Sequence, residues 1–512
     1  MGCRTIGIVV GVLVAVLVLD PLGSTANAQT DPPGMPDTVR VRLTVDRGPV
    51  HLELPIGSVV RVDGRATEFN PSPLSIIFGE SLRYLRIPDN VRLPSGLGVA
   101  ETHSMLDVSG ETVFIGPYVG SARQIRDRRI LRSELGVSPV LTAPRAGLHL
   151  GRYRLGLPQV VEVEPRELAD AITVNGRSYR GRLRVDFTGD QPLIVNEVSL
   201  SEYLASVVGS EMPSSWELEA LKAQAVAARN YVLKQIEPNS MYDICDSQNC
   251  QAYRGMGAET PSTIRAVDET RGLVATYLGT MITAYYSANA GDETVSSGDV
   301  WGMPVPYLNA VASPHDAEAL SVAWGSSGYR WRRVIPVQAL AGIQTGEGGV
   351  LGTLTNVRVL RTSAIGRPLD VRLEGKKGAL VLSGDRIRTV LNLPSAFAEF
   401  EIAPAKSLIL LNPSPRRVVS LLRKGYVLES RRRSLAFDSA PSDIRLDRGS
   451  LSIIEFLLPA RVVVHGRGFG HGVGMSQWGA QGLALDGHSF IEILSHYYRG
   501  IEVQHIETSD LK

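Results

Sequence analysis

The stretch Ser201-Glu-Tyr-Leu-Ala-Ser-Val-Val-Gly-Ser-Glu211-Met-Pro-Ser-Ser-Trp216, continued by Glu217-Leu-Glu-Ala-Leu-Lys-Ala-Gln-Ala-Val-Ala-Ala-Arg229-Asn-Tyr-Val-Leu-Lys-Gln235, decides how the chain is read. It ends one helix and opens another. Pro213 cannot continue a helix, and Ser214 with Glu217 three residues on has the form of a capping box, so the second helix is predicted over roughly 215–235. Ala220, Ala223, Ala225, Ala227 and Ala228 give it small faces that let neighbouring elements approach closely. Leu218, Lys222, Ala225 and Arg229 follow i, i+4, i+7, i+11 spacing, which puts both cations on one face. Two cations on a largely apolar face must be solvated, paired or aimed at a ligand. Glu211 sits just before this helix, near its positive end, a position that favours the carboxylate and lowers its pKa. A general acid near neutral pH needs burial or a negative neighbour to raise it instead. The plainer alternative is a helix-end carboxylate paired with Lys222 or Arg229.

Outward from this helical pair the texture is β. From Thr38 to about Val160, short alternating stretches such as Val39–Val45 and Val50–Leu54 are parted by Gly and Pro, the pattern of strands and turns. Thr112–Tyr118 reads as a strand before a charged helical stretch, Ser121–Leu135. Asn175-Gly176 is a hairpin signal within Ala171–Tyr179. Leu193–Val198 leads into the first helix, and Val357–Leu360, Leu369–Leu373 and Ala379–Leu382 read as later strands. The basic run from Arg416-Arg417 to Arg431-Arg432-Arg433 reads as part of an insertion near 405–459, either a solvated loop or hairpin or a contact for anionic wall polymers. The expected fold class is α+β: a β-rich domain over 38–160, then a mixed domain over 161–508 with a long Ala-rich helix and a Gly-rich C-terminal segment.

The first residues bear on compartment. Arg4, an apolar run from Ile6 to Leu19 and the small-residue stretch Thr25-Ala26-Asn27-Ala28 describe a secretory signal peptide over 1–28. About 14 helical residues reach roughly 21 Å, short of a ~30 Å hydrocarbon core, so a membrane is a partner only if this segment stays uncleaved. A Pro-rich linker over 29–37 follows. The expected location is therefore periplasm, cell wall or extracellular space. Cys245 and Cys250 share one loop, and outside the cytosol such a pair favours a disulfide over free thiols; a zinc site needs four ligands, and no histidine stands near in sequence. With 44% hydrophobic and 21% charged residues the composition is that of a globular protein, and a net charge of +1 argues against nucleic acid as a partner.

Near the C-terminus, His465-Gly-Arg-Gly-Phe-Gly-His471-Gly-Val-Gly-Met-Ser-Gln477-Trp-Gly-Ala-Gln-Gly482 alternates glycine with other residues. It matches neither phosphate-binding glycine fingerprint. It also misses the nucleophile elbow, since Trp478 stands where the second glycine belongs. His465 and His471 could face a substrate or a metal. A final helix from Ser489, capped with Glu492 and stopped by Gly500, should present Ile491, Leu494 and Tyr498 to the core.

Together these segments resemble the stage II sporulation protein D and amidase-enhancer superfamily of bacterial wall proteins. The likeness is carried by Ser210-Glu-Met-Pro213, by Glu219–Arg229 and by Gly466–Ala480, with Ser383–Arg388 and His496-Tyr-Tyr498 in support. It implies a lytic transglycosylase acting on peptidoglycan glycan strands, with a preference in some members for strands stripped of peptides and with a wall amidase as a further partner. The family's catalytic glutamate matches Glu211. Lys222, Gln224, Arg229, His471 and Gln477 become substrate-facing candidates, with no cofactor required. The rival implication is a non-catalytic wall-binding module that enhances a partner amidase. Two departures stand out. Some relatives carry a histidine before the second cysteine in a zinc cluster, where this chain has Asn249. Their Gly-Gly pair is here Gly291-Asp292.

Overall fold

The computed structural model describes residues 36–505, apart from 46–49, 68–73, 78–82, 89–101, 108–109, 119–120, 137–138, 143–146, 151–152, 156–159, 169, 188–191, 248–249, 322–327, 347, 412–426, 431–432, 436–452 and 459. The expected leader over 1–28, the expected linker up to residue 35, Asn249 and most of the basic run lie outside the described residues.

The fold class is α+β, as expected. Strands of the first 200 residues, together with Ile244–Cys245, build a seven-stranded sheet and a six-stranded sheet among the described residues. Thr38–Arg42 lies inside the larger one, antiparallel to Leu193–Ser199 with Thr38 opposite Ser199, and parallel to Ile244–Cys245 on its other side. In the smaller, Val50–Glu53 pairs with Ile172–Val174. Both sheets thus take strands from either side of residue 160, so the expected domain division runs through shared hydrogen-bond ladders. Alternation places Val39, Val41, Val161, Val163, Leu183 and Val185 in the core. The polar face carries cross-strand pairs such as Arg61–Glu164–Arg182. Asn175 and Gly176 turn the hairpin Ile172–Tyr179 with φ of 49° and 79°, the paired left-handed geometry such a tight turn requires.

Two further β units are each inserted between paired strands, one in the six-stranded sheet and one in a separate three-stranded sheet. Leu74–Ile77 pairs with Gly147–Leu150, and between them the chain leaves for the sheet of Arg83–Pro88, Thr102–Asp107, Gly110–Tyr118 and Val140–Thr142 with helix Ser121–Leu135. Likewise Ala398–Ala403 pairs with Arg461–Arg467, and the intervening chain forms the sheet of Lys406–Leu411, Val427–Ser430, Arg433–Leu435 and Ile453–Leu458.

Helix Leu218–Leu233 is the centre of the main core. It packs on helices Leu200–Glu211, Pro261–Glu269, Gln477–Leu485 and Phe490–Tyr497 and on strand Leu273–Tyr277. Ala220, Ala223, Ala225, Ala227 and Ala228 are all fully buried; larger side chains would hold these neighbours apart. The helix begins later than the sequence suggests. Its N-cap is Glu217, with no side-chain cap bond, and Ser214 instead accepts the Ser262 hydroxyl at its carbonyl. The capping box expected there is absent because Glu217 N is taken by Gln481 Oε1 at 2.9 Å. The box at Ser489 and Glu492 does form. Its helix, however, buries Ile493, Leu494, Tyr497 and Tyr498 and leaves Ile491 exposed, because a face one residue further round meets the core.

A second, smaller core lies between sheet Arg330–Pro336, Arg461–Arg467, Ala398–Ala403 and sheet Leu354–Thr362, Pro368–Gly375, Ala379–Ser383. The glycine-rich segment runs out of the first of these sheets and into helix Gln477–Leu485 of the main core.

Ala225→Leu should test the close packing of the central helix. Overpacking of this kind costs about 1–3 kcal/mol, read as a lowered denaturation midpoint; an unchanged midpoint would show that the helix has room around it.

Candidate functional site

Glu211 is the last residue of helix Leu200–Glu211. Ser199 caps the start of that helix and Pro213 prevents its continuation. The carboxyl therefore stands at a C-terminal, negative helix end rather than at the positive end of the next helix, which starts seven residues later at Leu218. A helix C-terminus disfavours the anion, and so does the packing. Burial raises the Glu211 pKa above the usual carboxylate range, opposed by hydrogen bonds from Ala252 and Gln477 and by the charge of Arg254. Ala252 N donates to Oε1 at 2.8 Å and Gln477 Nε2 donates to Oε2 at 3.3 Å.

Each of those donors is itself positioned. Ala252 follows the loop closed by the Cys245–Cys250 disulfide, whose Cα atoms are 5.6 Å apart. Gln251 accepts the Tyr203 hydroxyl and donates to Tyr286 Oη, and Tyr253 donates to Asn196 at 2.7 Å. The loop is thus pinned on three sides beneath Glu211. With both sulfurs in a disulfide, neither is a thiolate available to zinc, and no group of three or more His, Cys, Asp or Glu side chains gathers among the described residues in a way that could hold a metal ion.

Gln477 opens helix Gln477–Leu485 and is reached through the glycine-rich segment. Met475-Ser476 pairs in parallel with Tyr286-Ser287. At Gly474, with φ of 73°, a Cβ would overlap the Tyr285 carbonyl, so only glycine lets the strand lie this close. Ser476 caps the following helix, and its hydroxyl also donates to buried Asp316. Gln477 and Gln224 face one another, with Nε2 and Oε1 3.5 Å apart. Ser210 Oγ, Gln224 Nε2 and Ser287 Oγ are buried without a partner among the described residues. Unpaired buried polar atoms are costly and uncommon, which marks this as a place where another polar molecule completes the bonding.

The other candidates separate. Lys222 is held by Glu219 at 2.7 Å and Glu269 at 2.6 Å. Arg229, 2% exposed, donates to the Leu273 carbonyl at 3.0 Å, beside Asn230, which binds both edges of Ala275. Those two cations secure elements around the central helix and do not pair with Glu211. His471 stands further along the glycine-rich segment, its ring against Tyr285 and Trp301. Burial pushes its pKa down to about 4, and Nδ1 accepts the Val473 N–H at 3.0 Å, so it is a neutral imidazole with its proton on Nε2. Tyr203, Gln251 and Tyr286, which support the site, carried no local signal in the sequence; they are ordinary helix and strand residues until the fold brings them together.

Residues 188–277, which hold Glu211, the central helix and the disulfide loop, match the family described as Stage II sporulation protein (SpoIID). The chain is 28% identical over 334 residues to the stage II sporulation protein D of Bacillus amyloliquefaciens, covering 61% of this chain and 76% of that protein. Over these stretches the chain is similar to stage II sporulation protein D. It is also 29% identical over 340 residues to an uncharacterized protein of Brachyspira hyodysenteriae, covering 66% of this chain and 75% of the other. The amidase enhancer of Bacillus subtilis is 28% identical over 310 residues, 58% of this chain but only 39% of that protein. In this chain Gly291 is followed by Asp292, which adopts φ of 82°. Its carboxylate accepts Tyr329 and Arg467, both at 2.6 Å, bonds that offset the strain of a side chain in that region.

Two measurements follow from this geometry. Because the folded Glu211 pKa lies above the unfolded one, near 4.3, the native state holds more protons between the two values, and stability falls as pH rises through that window. Glu211→Gln, the neutral isostere, should therefore melt above the wild type at pH 7, with the gain vanishing below about pH 4; a lower melting point at pH 7 would contradict a raised pKa. Replacing both Cys245 and Cys250 by Ser should cost about 2 kcal/mol, the loop-closure value for so short a loop, with thiol titration of the unreduced, denatured wild type finding neither cysteine free.

Proposed function

We propose that the chain is an exported cell-wall protein that cleaves peptidoglycan glycan strands by a lytic transglycosylase reaction, with Glu211 as its single acid and base. The observation that carries this reading is the partly buried Glu211 carboxyl at a helix C-terminus, its pKa raised, between the Ala252 amide and Gln477. Protonated Glu211 gives its proton to the oxygen linking muramic acid C1 to the next sugar. As the C1–oxygen bond breaks, the C6 hydroxyl of the same muramic acid attacks C1 and returns its proton to Glu211. The products are a 1,6-anhydro end and a free 4-hydroxyl end, with no water consumed and the carboxyl restored. Ordinary glycosidases need a second carboxylate as nucleophile or base. Here the attacking group belongs to the substrate, which suits a carboxyl whose partners are an amide N–H and a glutamine. Gln224 and Gln477 would hold sugar groups beside it. The disulfide suits an oxidising compartment outside the cytosol, in keeping with the leader-like first residues.

The name of the Bacillus subtilis relative, amidase enhancer, favours a second reading, a wall-binding module that stimulates an amidase without cutting glycan. Incubation with peptide-stripped strands separates the two. Mass spectrometry should find 1,6-anhydro muramic ends, and Glu211→Gln should lower the rate by about 10²–10⁴-fold or more while remaining folded. Reducing ends alone would indicate hydrolysis. Binding without any soluble product would favour the enhancer.

A further inference from the structure

Arg367 forms no ion pair among the described residues, and the carboxylate whose charge it feels, Asp385, is bonded to Arg388. Lys222 is taken by two glutamates, Arg388 by Asp385 at 2.7 Å, and Arg467 by Asp292. Arg367 is only 3% exposed, yet no carboxylate among the described residues forms an ion pair with it. Its Nη2 donates to the His471 carbonyl at 2.6 Å, the one side-chain bond it makes among the described residues. A guanidinium has five N–H donors in a fixed fork, so most of its capacity is unused. Burying a charge in that condition is costly.

Its place is set from both sides. Arg367 ends the turn in which Ser363 N donates to the Arg367 carbonyl at 2.8 Å and Arg367 N donates to Ser363 Oγ at 3.2 Å. The guanidinium then lies against Gly472, where a Cβ would overlap it. The segment that it touches carries His471, whose ring meets Tyr285 and Trp301, and six residues later Gln477 bonds Glu211. Six residues of chain span at most about 20 Å, so the guanidinium and the Glu211 carboxyl are within reach of one bound oligosaccharide. Tyr285, Trp301 and His471 offer aromatic faces on which the apolar side of a sugar ring packs.

We propose that Arg367 is a specificity-determining residue that binds the free lactyl carboxylate of muramic acid, an inference that rests on the glycan-strand reading above. A planar carboxylate is the partner that its fork fits in two parallel bonds. In a strand that still bears peptides, that carboxyl is an amide, neutral and with one oxygen acceptor in place of two, so the guanidinium would stay buried without an ion pair.

The test compares two tetrasaccharides of alternating N-acetylglucosamine and muramic acid, one with free lactyl carboxylates and one with methylamides in their place. Affinities are measured by calorimetry on the full protein carrying Glu211→Gln, so that neither ligand is cut. The free acid should bind about 10- to 100-fold more tightly, the range expected for charge-assisted bonds to a buried cation. Adding Arg367→Gln should erase the difference, and Arg367→Lys should keep part of it. Equal affinities with Arg367 present would overturn the assignment, as would an undiminished preference in a folded Arg367→Gln protein. If Arg367→Gln does not fold, the two ligands on the Arg367 protein decide alone. Cleavage products from wild type report separately on Glu211: a carboxylate preference without anhydro ends would leave Arg367 as the reader and remove the transglycosylase reading.

Discussion

The close approach of neighbouring elements to helix Leu218–Leu233 is the constraint on which the rest depends, and five buried alanines on that helix permit it. Four helices and a strand close on it, and two of these helices carry Glu211 and Gln477. Glu211 ends the helix that precedes it, Gln224 lies on it, and Gln477 starts a helix packed against it. Asn230 and Arg229, near its far end, bind the strand Leu273–Tyr277 through backbone atoms. Polar residues on this helix therefore act mainly as fasteners, since each buried donor must find an acceptor wherever the packing brings one.

The electrostatics of Glu211 follow from the same packing. Its carboxyl has left most of the water and faces a helix C-terminus, while two neutral donors keep its orientation without supplying a positive charge. Such an arrangement favours the neutral acid and fixes the direction of its proton. The disulfide loop and the glycine-rich segment arrive from opposite parts of the chain to provide those donors. Glycine is required in the second because the strand Met475-Ser476 lies against the Tyr285–Ser287 backbone with no space for a Cβ at Gly474.

Much of the secondary structure was legible. Strand alternation, the Asn175-Gly176 turn, the Ser489 capping box and the long Ala-rich helix depend on neighbours in sequence, where propensity and periodicity act. The misreadings are of another kind. Ser214 and Glu217 have the spacing of a cap, but Gln481, from a distant helix, takes the Glu217 amide. Lys222 and Arg229 share a helix face, but that face meets Glu269 and the Leu273 carbonyl and not the Glu211 carboxyl. The division at residue 160 ignored the strand Thr38–Arg42, whose partners Leu193–Ser199 and Ile244–Cys245 lie more than 150 residues away.

The sequence by itself determined the helices, the turns, the two long motifs and hence the resemblance to stage II sporulation protein D, because these rest on local backbone preference and on residue order. Which side of a helix Glu211 ends on, which cations are already paired and that Arg367 forms no ion pair among the described residues were decided only in three dimensions. Burial and pairing are properties of contacts between distant segments, and a charge in sequence carries no record of whether water, a carboxylate or nothing will face it after folding.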